Sequence, residues 1–109
     1  MMLDLHELAI ERSLAFHREI AQRLVRDATV LDRARERVRG WMAEKPDRPY
    51  VRRWAGILAG TTESVAAFLV DGSESAQELR QSSPFAGVLD PQERWRIWRE
   101  TRDVCASRR

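Results

Sequence analysis

Apolar positions recur at helical spacing through nearly the whole chain. In the first segment they fall at Leu5, Leu8, Ala9, Phe16 and Ile20, with a second stripe through Ile10, Leu14, Ala21 and Val25. Two stripes on one helix require two neighbours. Residues from Thr29 to Glu44 give a cleaner amphipathic pattern, with Val30, Leu31, Ala34, Val38, Trp41 and Met42 on one side and charges opposite. A polar loop from Lys45 to Pro49 follows. Tyr50, Val51, Trp54, Ile57 and Leu58 then mark a short third helix stopped by Gly60. Thr61 or Thr62 caps a fourth helix that holds Val65, Phe68 and Leu69 and ends at Asp71-Gly72. Ser73 caps a short fifth through Ala76 and Leu79, broken by Ser82-Ser83-Pro84. The sixth runs from Pro91 to about Ser107, and its start is specified three ways. Asp90 can cap it, Pro91 suits the first helical position because its missing N–H would be unpaired there, and Glu93 can close a capping box. No segment alternates with period two, no repeat is evident and no Gly/Ser linker divides the chain. The pattern predicts an all-α fold: a single compact domain over residues 1–109 of about five to six helices, with a long N-terminal helix and a capped C-terminal Trp/Arg helix.

Composition narrows the class without naming a reaction. A chain of 109 residues, 43% hydrophobic and 33% charged, suits a helix-rich domain with a modest core that is prone to complete itself against another subunit. The longest apolar run, Val65 to Val70, falls far short of the ~20 residues a bilayer span needs. The start Met1-Met2-Leu3-Asp4 lacks a basic leader region, so the expectation is a cytoplasmic protein without a membrane segment. Net charge is only +2, too small to imply a nucleic-acid binder. Every basic residue except Lys45 is arginine. Residues 61–90 carry five acids against Arg80, whereas residues 91–109 carry six arginines against three acids, so a basic end follows an acidic middle.

Catalytic groups are sparse. His6 and His17 share one side of the first helix, but eleven residues at ~1.5 Å rise set them roughly 16 Å apart, too far to share a metal. They lie between the two apolar stripes and read as boundary histidines. Cys105 is the lone cysteine, expected to be an ordinary packed or half-exposed thiol, with no local signature to pair it with either histidine. The glycines at 40, 56, 60, 72 and 87 form neither a dinucleotide fingerprint nor a P-loop. The expectation is a protein that is not an enzyme and holds no metal or cofactor.

Binding chemistry concentrates in the last helix. Projected at ~100° per residue, Trp95, Ile97, Trp98, Thr101, Val104 and Cys105 share one broad half, with Arg94 and Arg102 inside it. Each of those arginines is four residues from Trp98, so either guanidinium can stack near the indole while its charged end stays free for a carboxylate or phosphate. Such clusters are energetic centres of interfaces. The alternative is that both tryptophans fill the domain's own core and the arginine stems run over its edge. Arg33, Arg35, Arg37 and Arg39 look like a basic run, yet helical geometry sends Arg33 and Arg37 to one flank and Arg35 and Arg39 to another. A nucleic-acid-binding regulator would use these or the basic terminus. Self-association through the broad apolar first helix, giving a homodimer, is the third reading.

A resemblance sharpens the choice. It is carried by Leu5-His6 and the long helix after it, by Val30-Leu31-Asp32-Arg33-Ala34-Arg35 with Trp41, and above all by the run from Leu79 to Leu89 leading into Arg94-Trp95-Arg96-Ile97-Trp98-Arg99. These resemble the small helical proteins encoded beside toxins in prokaryotic type II toxin–antitoxin operons, some of whose partners have a nucleotidyltransferase fold. The resemblance implies an antitoxin that binds a cognate toxin enzyme and occludes or distorts its active site. Partner-binding residues are then Arg94, Trp95, Trp98 and Arg102, with arginines facing acidic groups of the partner. Phe85, held in a Pro-Gly loop before the helix, is the next candidate as a pocket plug, its alternative being an internal hydrophobic staple.

Overall fold

A computed structural model describes residues 4–107; the first three residues and the Arg108-Arg109 end of the basic terminus lie outside the described residues. Within them all regular secondary structure is helical: α1 (Leu5–Arg26), α2 (Ala28–Glu44), α3 (Pro49–Leu58), α4 (Thr62–Leu69), α5 (Glu74–Arg80) and α6 (Pro91–Ser107). Local chemistry sets each start. Asp4 accepts the His6 and Glu7 amides at 3.0 and 3.2 Å, Thr61 Oγ1 accepts the Ser64 amide at 3.1 Å, and Ser73 Oγ accepts the Ala76 amide at 3.2 Å. Pro49 opens α3 from the first helical position, so the loop before it is one residue shorter than its prolines suggest. A single residue, Asp27, separates α1 from α2. Its amide donates to Arg23 O at 2.8 Å while its carboxylate caps the next helix through the Thr29 amide and hydroxyl, and these two hydrogen bonds hold its pKa below the ordinary value.

The helices close around α1, which packs against α2, α4, α5 and α6, while α3 bridges α2 and α4. The core runs through Ile20, Leu24, Leu31, Ala34, Val38, Trp54, Leu58, Val65, Leu69 and Leu79. Trp54 is wholly buried and meets Phe68 edge-on at 5.7 Å and Phe85 at 6.2 Å. The apolar stripes of α1 are only partly covered: Leu5, Ala9 and Val25 are exposed, and Leu24, which belongs to neither stripe, takes the core place beside Val25 at 1% exposure.

Arginines hold the connections. Arg35 donates to Leu58 O at 2.8 Å and Gly60 O at 3.1 Å, closing the end of α3. Arg80, itself 4% exposed, donates to Asp71 O at 2.7 Å and Leu69 O at 3.4 Å, closing the end of α4. Arg37 grips the segment after α5 through Ala86 O at 2.6 Å and Pro84 O at 3.4 Å. That segment turns at Gly87, whose φ is +91°.

Phe85 corrects one expectation: it does not present itself to a partner. It is 1% exposed and belongs to the core against Trp54, since the Ser83 hydroxyl accepts the Phe85 amide at 3.2 Å and the turn folds the ring inward. Phe85→Ala is expected to cost ~3–5 kcal/mol by urea unfolding, as for a buried aromatic truncated in a core. Gly87→Ala is expected to cost about 1–2 kcal/mol through backbone strain alone, because an added Cβ would meet no atom within 4 Å.

Candidate functional site

The capped helix α6 forms as its sequence specifies. Glu93 N donates to Asp90 Oδ1 at 2.8 Å and Asp90 N to Glu93 Oε1 at 3.1 Å, a complete capping box with Pro91 in the first position. The helix lies antiparallel on α1. Glu93 forms an ion pair with Arg23, Arg94 sits over Phe16 at 5.0 Å, and Arg12 sits over Trp98 at 4.1 Å, so successive turns of α6 meet earlier turns of α1.

Burial divides the broad apolar half of α6. Ile97 and Cys105 are buried, Trp98 and Thr101 are half-buried, and Trp95 and Val104 stand 55% and 52% exposed. Trp95 and Trp98 stack face to face, with centroids 5.1 Å apart and planes inclined by 12°. Arg102 lies 5.3 Å from Trp98 and Arg99 5.8 Å from Trp95. Burial therefore differs along one indole pair: Trp98 is wedged at the α1 boundary, and Trp95 stacks on its outer face toward solvent. Each guanidinium–indole contact at such an exposed position contributes ~0.5–1 kcal/mol, enough to hold the rings in one pose without burying them.

Of the arginines expected beside Trp98, Arg102 is there and Arg94 is not. Arg94 turns to Phe16 because α1 occupies that side of the helix. Arg12 of α1 takes the place assigned to it. Sequence reasoning did not find Arg12, since only the antiparallel packing brings it to α6. Partners of Arg96 and Arg102 are local: Glu100 at 3.6 Å and Asp103 at 3.5 Å, both at exposed sites where an ion pair contributes little.

His17 also departs from expectation. It is 5% exposed rather than at the boundary, and both ring nitrogens are engaged, Nδ1 with Ser13 O at 2.7 Å and Nε2 with Ser83 Oγ at 2.8 Å. The carbonyl fixes a proton on Nδ1, so Nε2 accepts from the Ser83 hydroxyl. Ser83 also accepts the Phe85 amide, so the pair ties α1 to the turn that buries Phe85. Burial pushes the His17 imidazole below its ordinary pKa, with the Ser13 hydrogen bond opposing and nearby Arg80 reinforcing. Among the described residues no group of three or more His, Cys, Asp or Glu side chains is arranged to hold a metal ion, and no helix is long and apolar enough to cross a membrane.

In comparisons with known proteins, no family model matches the chain, and no curated protein or solved structure matches it.

The His17 environment sets a pH dependence. Because folding lowers its pKa, protonation favours the unfolded chain, so stability is fully present above about pH 6.5 and declines as pH falls below that value. The melting temperature of the wild type is expected to drop more between pH 7.5 and 5.5 than that of His17→Gln, which has no titrating group there. Equal drops would assign the effect to other groups.

Proposed function

We propose that this protein is an antitoxin, a cytoplasmic helical protein that neutralises a cognate toxin enzyme by laying α6 over the enzyme's active cleft or holding it in an inactive geometry. The observation that carries this reading is the stacked Trp95–Trp98 pair, half in solvent, with Arg12, Arg99 and Arg102 against its rings. Tryptophan and arginine dominate binding hot spots because they combine area with directed hydrogen bonding. Here the rings are held in place before any partner arrives, which lowers the ordering cost of association. The guanidinium edges suit an acidic partner surface, such as the metal-binding carboxylates of a nucleotidyltransferase-fold enzyme. The binding residues are then Trp95, Trp98, Arg99, Arg102 and Arg12.

The nucleic-acid reading has less support. Two arginines of the 33–39 run, Arg35 and Arg37, spend their donors on backbone carbonyls of the same chain. A third, Arg39, pairs with Glu36.

The experiment is co-expression with the product of the adjacent gene, reading growth rescue and co-purification. Wild type is expected to rescue growth and to be captured as a stable complex. Trp95→Ala, which removes an exposed ring and leaves the core intact, is expected to weaken the complex about thirtyfold or more, the equivalent of ~2 kcal/mol. Rescue and capture undiminished in Trp95→Ala and in Trp95→Ala/Arg102→Ala would remove α6 from the interface. A neighbour that is neither toxic nor captured would end the antitoxin reading.

A further inference from the structure

Beneath the N-terminal turn of α6 lies a cleft of about 370 Å³, walled by α1, the end of α5 and the segment that carries Ser83 and Phe85. Its size is that of a small-molecule site. Arg12, Arg80 and Arg94 line it, together with Ser83 and the apolar walls of Phe16 and Leu89. Among the described residues no carboxylate lines it, and none of these three arginines forms a salt bridge. A second pocket of about 160 Å³ adjoins it and shares Ala9, Ser13, Arg80 and Gln81.

We propose that this cleft is a binding site for a small oxyanion, a carboxylate or phosphate carried on a compact apolar body. Two buried donors carry the argument. Arg80 is 4% exposed, and while its Nη1 is committed to Asp71 O and Leu69 O, its Nη2 has no hydrogen-bond partner. Arg12 Nε is likewise buried and unpartnered. Proteins pair nearly all buried donors; three side-chain donors go without among the described residues, Trp54 Nε1 in the core and these two, which sit on cations lining one cleft. An oxyanion supplies both the acceptor and the missing charge, and arginine's planar fork matches carboxylate and phosphate geometry.

The site is also fixed before a ligand enters. Arg80 is clamped by the end of α4, and the Arg94 guanidinium sits 5.0 Å over the Phe16 ring. Burial pushes the pKa of Arg80 and of Arg12 down; Asp71 opposes the shift at Arg80 and Arg18 adds to it, while Cys105 opposes it at Arg12 and Arg102 adds to it. A bound anion would relieve that penalty. His17 and Ser83 add no charge, since each uses its proton within the His17–Ser83–Ser13 chain. The apolar walls then select ligands whose charged end is attached to a hydrophobic body. This inference shares Arg12 with the Trp95–Trp98 face but rests on the cleft lining and its unpartnered donors, so it stands whether or not the antitoxin reading holds.

The test is a ¹⁵N–¹H NMR titration of the full chain with phenyl phosphate, benzoate and the neutral analogue phenol. Phenyl phosphate or benzoate is expected to give saturable shifts at the Ser83 and Phe85 amides and at Arg94 Nε–H, with phenol giving none. Arg80 supports the fold and Arg12 and Arg94 brace α6 on α1, so the diagnostic variants are Arg94→Gln and Arg12→Gln, each titrated after its melting temperature and amide spectrum are matched to wild type. Each is expected to weaken binding by about tenfold to a hundredfold, the range for one lost charge-assisted hydrogen bond. Arg48→Gln, an exposed arginine away from the cleft, is expected to bind as wild type. Shifts that do not saturate at millimolar ligand, equal binding of phenol, or affinity unchanged in both diagnostic variants would each overturn the proposal. Saturable binding of a tetraglutamate peptide with no response to either small oxyanion would overturn it in favour of an acidic protein partner.

Discussion

The two-sided burial of α1 is the constraint on which the rest of the structure depends. An amphipathic helix with one apolar stripe needs one neighbour; α1 carries two and is enclosed by α2, α4, α5 and α6. Its Leu24 and Ile20 anchor the main core, while its Arg12, Phe16 and Arg23 form the bed of α6. The position of every side chain discussed as a binding residue follows from that arrangement. Without α1, α6 would be a free helix of 17 residues with two tryptophans in water, and helices of that length have only marginal stability on their own.

Arginine richness has a structural explanation that separates spent cations from available ones. Arg35, Arg37 and Arg80 close helix ends and pin the turn after α5 by donating to backbone carbonyls, a use for which a fixed fork of donors is well suited. Arg23 pairs with the capping carboxylate of α6 and so couples that helix start to α1. The arginines left with aromatic contacts alone are Arg12, Arg94 and Arg99, and they gather on the α1–α6 side of the molecule. Those three arginines border both proposed surfaces, Arg99 and Arg12 the Trp95–Trp98 pair and Arg12 and Arg94 the cleft that Arg80 also lines.

What could be read in the sequence was what local chemistry decides. The six helices, the Ser73 and Asp90 caps and the Thr61 choice follow from periodicity and capping, each settled within four or five residues. The divergence of Arg35 from Arg37 also follows from helical geometry, and the two do end on different elements. What could not be read depends on contacts far along the chain. Phe85 reads as a pocket plug or an internal staple, and nothing near it announces that Trp54 lies 31 residues earlier in the chain and against its ring. His17 looked like a boundary residue because its partner, Ser83, is on another element. The Trp/Arg helix was legible as a cluster, but the exchange of Arg94 for Arg12 beside Trp98 required the antiparallel docking of α6 on α1.

The central claim is that α6 is held on α1 in one pose by guanidinium–aromatic contact, with Trp98 as the fixed ring that sets out Trp95. A double-mutant cycle between Arg12→Ala and Trp98→Ala, read by urea unfolding, tests it directly. The account predicts a coupling of about 1 kcal/mol, well above the ~0.3–0.5 kcal/mol within which independent sites add. Strict additivity of the two substitutions would contradict it.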